Sequence, residues 1–442
     1  MRSFRWIVPL AAIVLTACGG GSSSPAPTAS GSSSSSGASS SSSSGAGSSS
    51  SGGHNFSGGG ANVASLVVGP GPTNQTAFNI PTTTVKICLH GTTTCATVPN
   101  VLVDTGSPGL RLIASALGSF STPFQQDQST PGNFIVECLP FADGFTWGPV
   151  ANVDVVIGGE TASSVPVNII DDTGNLEPTA PTNCSNGAQN LSSVSQLGAN
   201  GVLGIGLFTV DCGSYCALPV VQQTMGSLYY SCSTAPNSCN PVSEDMSLQV
   251  INPVAMFPTD NNGVILQLPA IPSTGQVSDT GYLVFGIGTE SNNGLEGATV
   301  LTTDGSGFIT TMYNGQTLPY GFLDSGSNGY FFPDSSIAVC TGFTNASEFY
   351  CPTTTPLSLS ATNQGHNGTT TPVPFTIENL NDLNNTFFAA NVGGPSTGIN
   401  LGNGITTNDI FDFGVPFFYG RTVFTAIAGA PAGSATGPYF AY

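Results

Sequence analysis

The chain has 442 residues, more than one hydrophobic core usually supports, and it is acidic, with 24 Asp and Glu against 5 Lys and Arg for a net charge of −19. Beyond Arg2 and Arg5 only Lys86, Arg111 and Arg421 are positive, which argues against nucleic acid and anionic membrane surfaces as partners. Few cations also mean few ion pairs to lose when carboxylates protonate, as suits a protein working in acid; a Thr- and Ser-rich extracellular surface gives the same composition.

Residues 1–17 read as an export signal: Arg2 and Arg5 supply the positive start, and Trp6 to Leu15 form an apolar stretch too short to span a bilayer. Leu15-Thr16-Ala17-Cys18 resembles the lipobox of bacterial lipoproteins. That resemblance implies cleavage before Cys18 and lipid attachment to its thiol. Gly19, rather than Asp, follows, which implies an outer-membrane destination on its periplasmic or outer face. Residues 18–60 are almost wholly Ser, Gly, Ala and Pro and read as a disordered tether, with a root-mean-square reach on the order of 35 Å.

From Ala61 onward the chain reads as two β-rich lobes, 61–245 and 246–442. Short β-branched or aromatic segments between turn signals predict strands at Thr84 to Leu89, Val101 to Val103, Val153 to Ile157, Val165 to Ile170, Gly263 to Leu268, Gly281 to Gly286, Phe308 to Tyr313 and Phe417 to Ile427. Only Ser192 to Leu197, Leu218 to Leu228 and Asp334 to Val339 suggest short helices. Setting Cys18 aside leaves ten cysteines, an even number in an exported protein, which favours disulfides. Neighbours in sequence suggest Cys88 with Cys95, Cys232 with Cys239 and Cys340 with Cys351; Cys212 with Cys216 and Cys138 with Cys184 is a guess for the other four, whose connectivity the sequence leaves open. Cys212 and Cys216 also have a metal-like local spacing, but no His or second compact Cys pair accompanies them.

The chemistry lies in a repeated string. Val101-Leu-Val-Asp-Thr-Gly-Ser107 and Gly321-Phe-Leu-Asp-Ser-Gly-Ser327 each place an Asp turn after an apolar lead-in, with 220 residues between Asp104 and Asp324. One Asp-Ser-Gly is ordinary turn vocabulary; two with matched flanks can supply two carboxylates to one acid/base site. About 100 residues after Asp104 comes Gly201-Val-Leu-Gly-Ile-Gly206, and about 90 after Asp324 comes Phe411-Asp-Phe-Gly414, each putting bulky residues before a Gly. In the second copy Asp412 interrupts the apolar pair.

On these residues the chain resembles the pepsin-like aspartic peptidases, over most of Val63 to Tyr442. The lipobox, the tether and the Asp-Ser-Gly-Ser-Asn-Gly form narrow the resemblance to a group of bacterial lipoproteins catalogued as a domain of unknown function. The resemblance implies an all-β, bilobal double-psi β-barrel fold with an inter-lobe cleft. It implies that Asp104 and Asp324 share one proton and activate a water against a peptide carbonyl. Thr105 and Ser325 would cross-link the turns, Ser107 and Ser327 would hydrogen-bond the outer carboxylate oxygens, and Gly106 and Gly326 would let backbone N–H groups approach. Phe141-Ala-Asp143-Gly144 is similar to the family's flap, with Phe141 where the family usually has Tyr, so that it could cover a substrate without donating a hydrogen bond. Arg111 stands near a position where the family often has Trp. Near the cleft it would attract acidic ligands or depress the carboxylate pKa values; alternatively it is a surface strand cation.

No other motif competes. His54, His90 and His366 lie near no nucleophile, and no phosphate loop or dinucleotide fingerprint is present. Asp143, Asp154, Asp171 and Asp172 read as turn and strand-edge acids, and Asp260-Asn261-Asn262 lacks calcium-ligand spacing. The expectation is an exported, lipid-anchored aspartic endopeptidase. It would need no metal or organic cofactor and act as a monomer on an extended peptide or protein, meeting the membrane through its N-terminal lipid only. The alternative is a pepsin-fold binding or envelope protein with a weak or silent dyad, or a surface scaffold.

Overall fold

The computed structural model describes residues 60–442 apart from residues 73–76, 122–127, 131–132, 143, 175–178, 186–187, 225, 234–238, 343–345, 385 and 397–404. The export signal, Cys18, the tether up to residue 59, and Asp143 lie outside the described residues.

Strands dominate, and their burial follows their composition. β1 (Val63–Val68) and β2 (Pro81–Leu89) alternate buried and exposed positions along most of their length, as strands with one wet face do. β3 (Cys95–Asp104) becomes fully buried over Val101, Leu102 and Val103, and β4 (Pro108–Ile113) is buried throughout. β5 (Asn133–Phe141), β6 (Gly144–Ile157) and β7 (Glu160–Ile170) form an antiparallel meander, and β8 (Gly201–Ile205) returns into the interior.

β8 runs parallel to β3, with Leu102 opposite Val202, Val103 opposite Leu203 and Asp104 opposite Gly204. It runs antiparallel to β4 on its other side. The C-terminal half opens with β9 (Gly263–Leu268), β10 (Asp279–Phe285) and the hairpin of β11 (Ile309–Tyr313) and β12 (Gln316–Leu323). After the second Asp turn and β13 (Tyr330–Phe331), β14 (Ile410–Phe413) lies parallel to β12 and antiparallel to β13. Phe322 faces Asp412 and Leu323 faces Phe413, so the wiring around Asp104 recurs around Asp324 in the same register.

A 16-stranded sheet joins the halves through β1, which pairs with β2 on one side and with β10 on the other. A second sheet of seven strands includes β11 to β14. One apolar cluster takes Val103, Leu110 and Leu203 from the first half and Leu323, Phe411 and Phe413 from the second. The Phe411 and Phe413 rings stack at 4.1 Å, and Phe332 stacks on Phe411 at 5.0 Å. The Asp turns are therefore the ends of strands set in a common core.

All eight predicted strand segments coincide with strands, the last in a shortened form. Between Val415 and Phe417 the chain makes a tight helical turn around Pro416, and β15 (Arg421–Ala426) begins only after Gly420, whose φ of +73° breaks the extended run. The helix expected at Ser192 to Leu197 exists as Val194–Leu197, capped by the Ser193 side chain and ended by left-handed Gly198. The other two helices do not form. Among the described residues of Leu218 to Leu228 there is one short helical turn, Val220–Gln222, after Pro219. At Asp334 the side chain accepts from the Ser336 backbone N–H and hydroxyl, closing a local turn that competes with a helix. The five disulfides are Cys88–Cys95, Cys138–Cys184, Cys212–Cys216, Cys232–Cys239 and Cys340–Cys351.

Candidate active site

Each Asp turn is built the same way. Asp104 ends β3, and the Gly106 N–H donates to its Oδ1 at 2.7 Å while the Ser107 hydroxyl donates to its Oδ2. Asp324 follows β12, and the Gly326 N–H donates to its Oδ1 at 2.7 Å while the Ser327 hydroxyl reaches its Oδ2 at 2.8 Å. Both aspartates are wholly buried.

The turns are bonded to each other across 220 residues of sequence. The Thr105 hydroxyl donates to the Leu323 carbonyl at 3.1 Å and accepts from the Ser325 N–H at 2.9 Å. The Ser325 hydroxyl donates to the Val103 carbonyl at 2.8 Å and accepts from the Thr105 N–H at 3.0 Å. Each hydroxyl is thereby satisfied as donor and as acceptor. The glycines face the opposite carboxylates: a Cβ on Gly106 would lie 2.6 Å from the Asp324 carboxyl carbon, and one on Gly326 would lie 2.7 Å from Asp104 Oδ1. The two carboxyl groups are close enough for each to perturb the other.

Such a pair cannot ionise fully. Burial pushes the Asp104 carboxyl up, against hydrogen bonds from Ser107 and Gly106 that favour its charged form. Asp324 is pushed well above the usual range, by burial first, then by the charges of Asp104 and Asp412. Both shifts favour retention of a proton over a doubly charged pair, and in each carboxyl one oxygen is held by a backbone N–H and the other by a hydroxyl.

Asp412 is the site residue whose role sequence reading missed. It is 1 % exposed on β14, and its Oδ2 lies 2.6 Å from the Ser327 hydroxyl that also holds Asp324. An acid inside the buried run Ile410-Phe411-Asp412-Phe413 was the available signal, since isolated carboxylates rarely survive there without a partner.

Arg111 is not a surface strand cation, and of the effects expected of it near the cleft only a lowering pull on Asp104 is present. It is 0 % exposed, with Nη2 2.6 Å from Glu137 Oε1, Nε 3.1 Å from Glu137 Oε2 and Nη2 3.2 Å from Asp211 Oδ2. Nη1 donates to the Pro108 and Gly109 carbonyls. Its charge is thus consumed within the first half, and its pull on Asp104 is weaker than that of the local hydrogen bonds. Burial lifts Asp211 well above the carboxylate range, the neighbouring Glu137 adds to this, and Tyr229 donates to it at 2.9 Å.

Phe141 also differs from expectation. It closes the β5–β6 hairpin opposite Gly144, but its side chain is buried in a cluster with Leu102, Ile113, Leu139, Leu197 and Val202, turned into the core rather than outward over a ligand. The hairpin tip is strapped down: Phe145 N–H donates to the Gln189 carbonyl at 2.9 Å and Leu191 N–H to the Phe145 carbonyl at 2.8 Å. A Cβ on Gly144 would lie 2.1 Å from the Gln189 oxygen. Asp143, at the tip, is outside the described residues. His90 pairs with Asp154 at 2.7 Å, away from any nucleophile. Among the described residues no group of three or more His, Cys, Asp or Glu side chains is arranged to hold a metal ion.

Residues 58–442 match the family described as "Protein of unknown function (DUF3443)", and the chain belongs to that family. No curated protein matches its sequence. Among solved structures, it is similar to an aspartic proteinase from Irpex lacteus at 16% identity, over 86% of this chain and 96% of that one, with a TM-score of 0.41.

Proposed function

We propose that this protein is an aspartic endopeptidase whose catalytic residues are Asp104 and Asp324. The observation that carries the reading is the meeting of two buried Asp turns, cross-bonded through Thr105 and Ser325, with Gly106 and Gly326 each against the opposite carboxyl. The duplicated register supports a bilobal, double-psi β-barrel arrangement with lobes at 61–245 and 246–442 and an extended peptide bound between them.

A water held between the carboxyls gives a proton to the ionised member as its oxygen attacks the peptide carbonyl carbon. The neutral member gives its proton to the carbonyl oxygen, leaving a neutral gem-diol. The newly protonated carboxyl then protonates the amide nitrogen as the C–N bond breaks, and the other carboxyl recovers a proton from the gem-diol. The pair ends with one proton, as it began. The lipobox-like start supports export and anchoring through Cys18, with the Ser/Gly tether holding the domain off the membrane.

The test is incubation of the purified chain with a mixed peptide library between about pH 3 and 7, a range that brackets titration of a carboxylate pair. Cleavage by the wild type that Asp104→Asn and Asp324→Asn each abolish is the expected result. Intact peptides with all three proteins would replace the reading with that of a pepsin-fold binding protein.

A further inference from the structure

At one position beside the Asp turns an apolar residue of the first half is matched by an acid in the second. Val202 lies opposite Leu102, two residues before Asp104, and Asp412 lies opposite Phe322, two residues before Asp324. In the first half Ser107 holds Asp104 beside a strand whose matching residue is an apolar Val. In the second half Ser327 holds Asp324 at 2.8 Å and Asp412 at 2.6 Å with the same hydroxyl oxygen.

A hydroxyl carries one proton and cannot donate to two carboxylate oxygens at once. When Ser327 donates to Asp412, Asp324 must donate to Ser327 for the second contact to be a hydrogen bond. When it donates to Asp324, Asp412 must be the acid. Either arrangement retains one proton on the Asp324–Ser327–Asp412 chain beyond the hydroxyl's own. Two ionised carboxylates sharing this oxygen would both be buried, with only the one hydroxyl proton to divide between their two contacts to Ser327.

We infer that Asp412 is a positioning residue of the dyad: through Ser327 it keeps a proton at or next to Asp324 and raises the upper pH limit over which the pair can work. The surroundings leave this role to Asp412. The residues facing it from the flanking strands are Phe322 on β12 and Phe331 on β13, neither of which titrates. Tyr330 is on the other face, against Phe413, and Tyr320 packs edge-on to Phe308. Asp409 lies beyond the outer end of β14, hydrogen-bonded to Thr406. Of the cations, Arg111 is held by Glu137 and Asp211, and Arg421 donates to the Phe417 and Pro374 carbonyls. The carboxyls that act on Asp324 include Asp104 and Asp412.

The kinetic arm of the test rests on the peptidase reading; the stability arm does not. Asp412→Asn preserves shape and supplies an amide donor to Ser327, freeing the hydroxyl proton for ionised Asp324. Asp412→Val copies the first half. A group whose folded pKa is raised contributes stability below its unfolded pKa and loses it as pH rises. Both variants, melted as the full chain between about pH 4 and 8, should therefore gain on the wild type as pH rises. A melting difference that does not change with pH overturns the inference. Where peptide cleavage is measurable, the alkaline limb of the Asp412→Asn profile should move about one pH unit toward acid, and an unmoved limb overturns the inference as well. If the wild type cleaves nothing, the peptidase reading falls and the melting series alone decides the role of Asp412.

Discussion

Thr105 and Ser325 each place a hydroxyl on the backbone of the other's turn, so the geometry of the carboxylate pair is set by four bonds that involve neither carboxylate. Thr105→Val keeps the shape but leaves the Leu323 carbonyl and the Ser325 N–H buried without this partner, at about 2 kcal/mol. Ser325→Ala does the same to the Val103 carbonyl and the Thr105 N–H. Urea unfolding should show each loss. The double variant should lose less than the sum, because either change alone already lets the turns separate. Peptide cleavage should fall further than stability accounts for, since misplaced carboxyls no longer share a water.

The dyad should make the protein less stable as pH rises. Both carboxyls have folded pKa values above their unfolded ones, so their contribution is fully present below about pH 4 and is lost as pH climbs through the folded values. Asp324→Asn and Asp104→Asn each remove one charge from the buried pair. The melting temperature of either variant should exceed that of wild type at pH 7, and the gap should close toward pH 4. Equal slopes for variant and wild type across this range would mean that the carboxyls are not buried together.

The parts of this architecture that were legible in the sequence are local or duplicated. Val101-Leu102-Val103 before Asp104 announces a buried strand end, and its copy before Asp324 announces a second. Three of the cysteine pairs followed from proximity, whereas Cys138–Cys184, 46 residues apart, was a guess that sequence distance does not support. Arg111 was not legible, because its partners Glu137 and Asp211 lie 26 and 100 residues away and nothing local to Arg111 distinguishes a buried cation from an exposed one. Phe141 was misplaced for a related reason: a hairpin end looks exposed until the segment at Gln189 to Leu191 is seen to bond to Phe145. Asp412 was visible as an irregularity, but its meaning needed the register that sets β14 beside β12.

Arg111→Met tests the buried ion cluster. Without the guanidinium, Glu137 and Asp211 face each other in an unexposed site, and breaking one partner of such a set costs about 4 kcal/mol. The loss should shrink at low pH, where the raised Asp211 carboxyl is protonated and one stranded charge fewer remains. Adding Glu137→Gln and Asp211→Asn to Arg111→Met should recover part of the stability at pH 7. Denaturant midpoints at pH 4 and pH 7 measure both effects; a loss independent of pH would show that Arg111 acts by packing alone.

Gly414→Ala separates close approach from backbone conformation. Gly414 has an ordinary φ of −71°, yet a Cβ there would lie 2.2 Å from the Gly329 carbonyl oxygen and 2.5 Å from that of Ser327. Both obstacles are backbone, so the turn carrying Ser327 must shift, at about 3 kcal/mol, and its hydroxyl must leave Asp324 and Asp412. Gly315, in the β11–β12 hairpin, is the converse: its φ is +75° and nothing lies within 4 Å of an added Cβ. Gly315→Ala should cost about 1 kcal/mol in strain with the dyad undisturbed. Thermal melts rank the two losses, and peptide cleavage by the folded fraction should fall for Gly414→Ala only. Comparable cleavage by both would mean that the packing of β14 against the second turn does not set the position of Asp324.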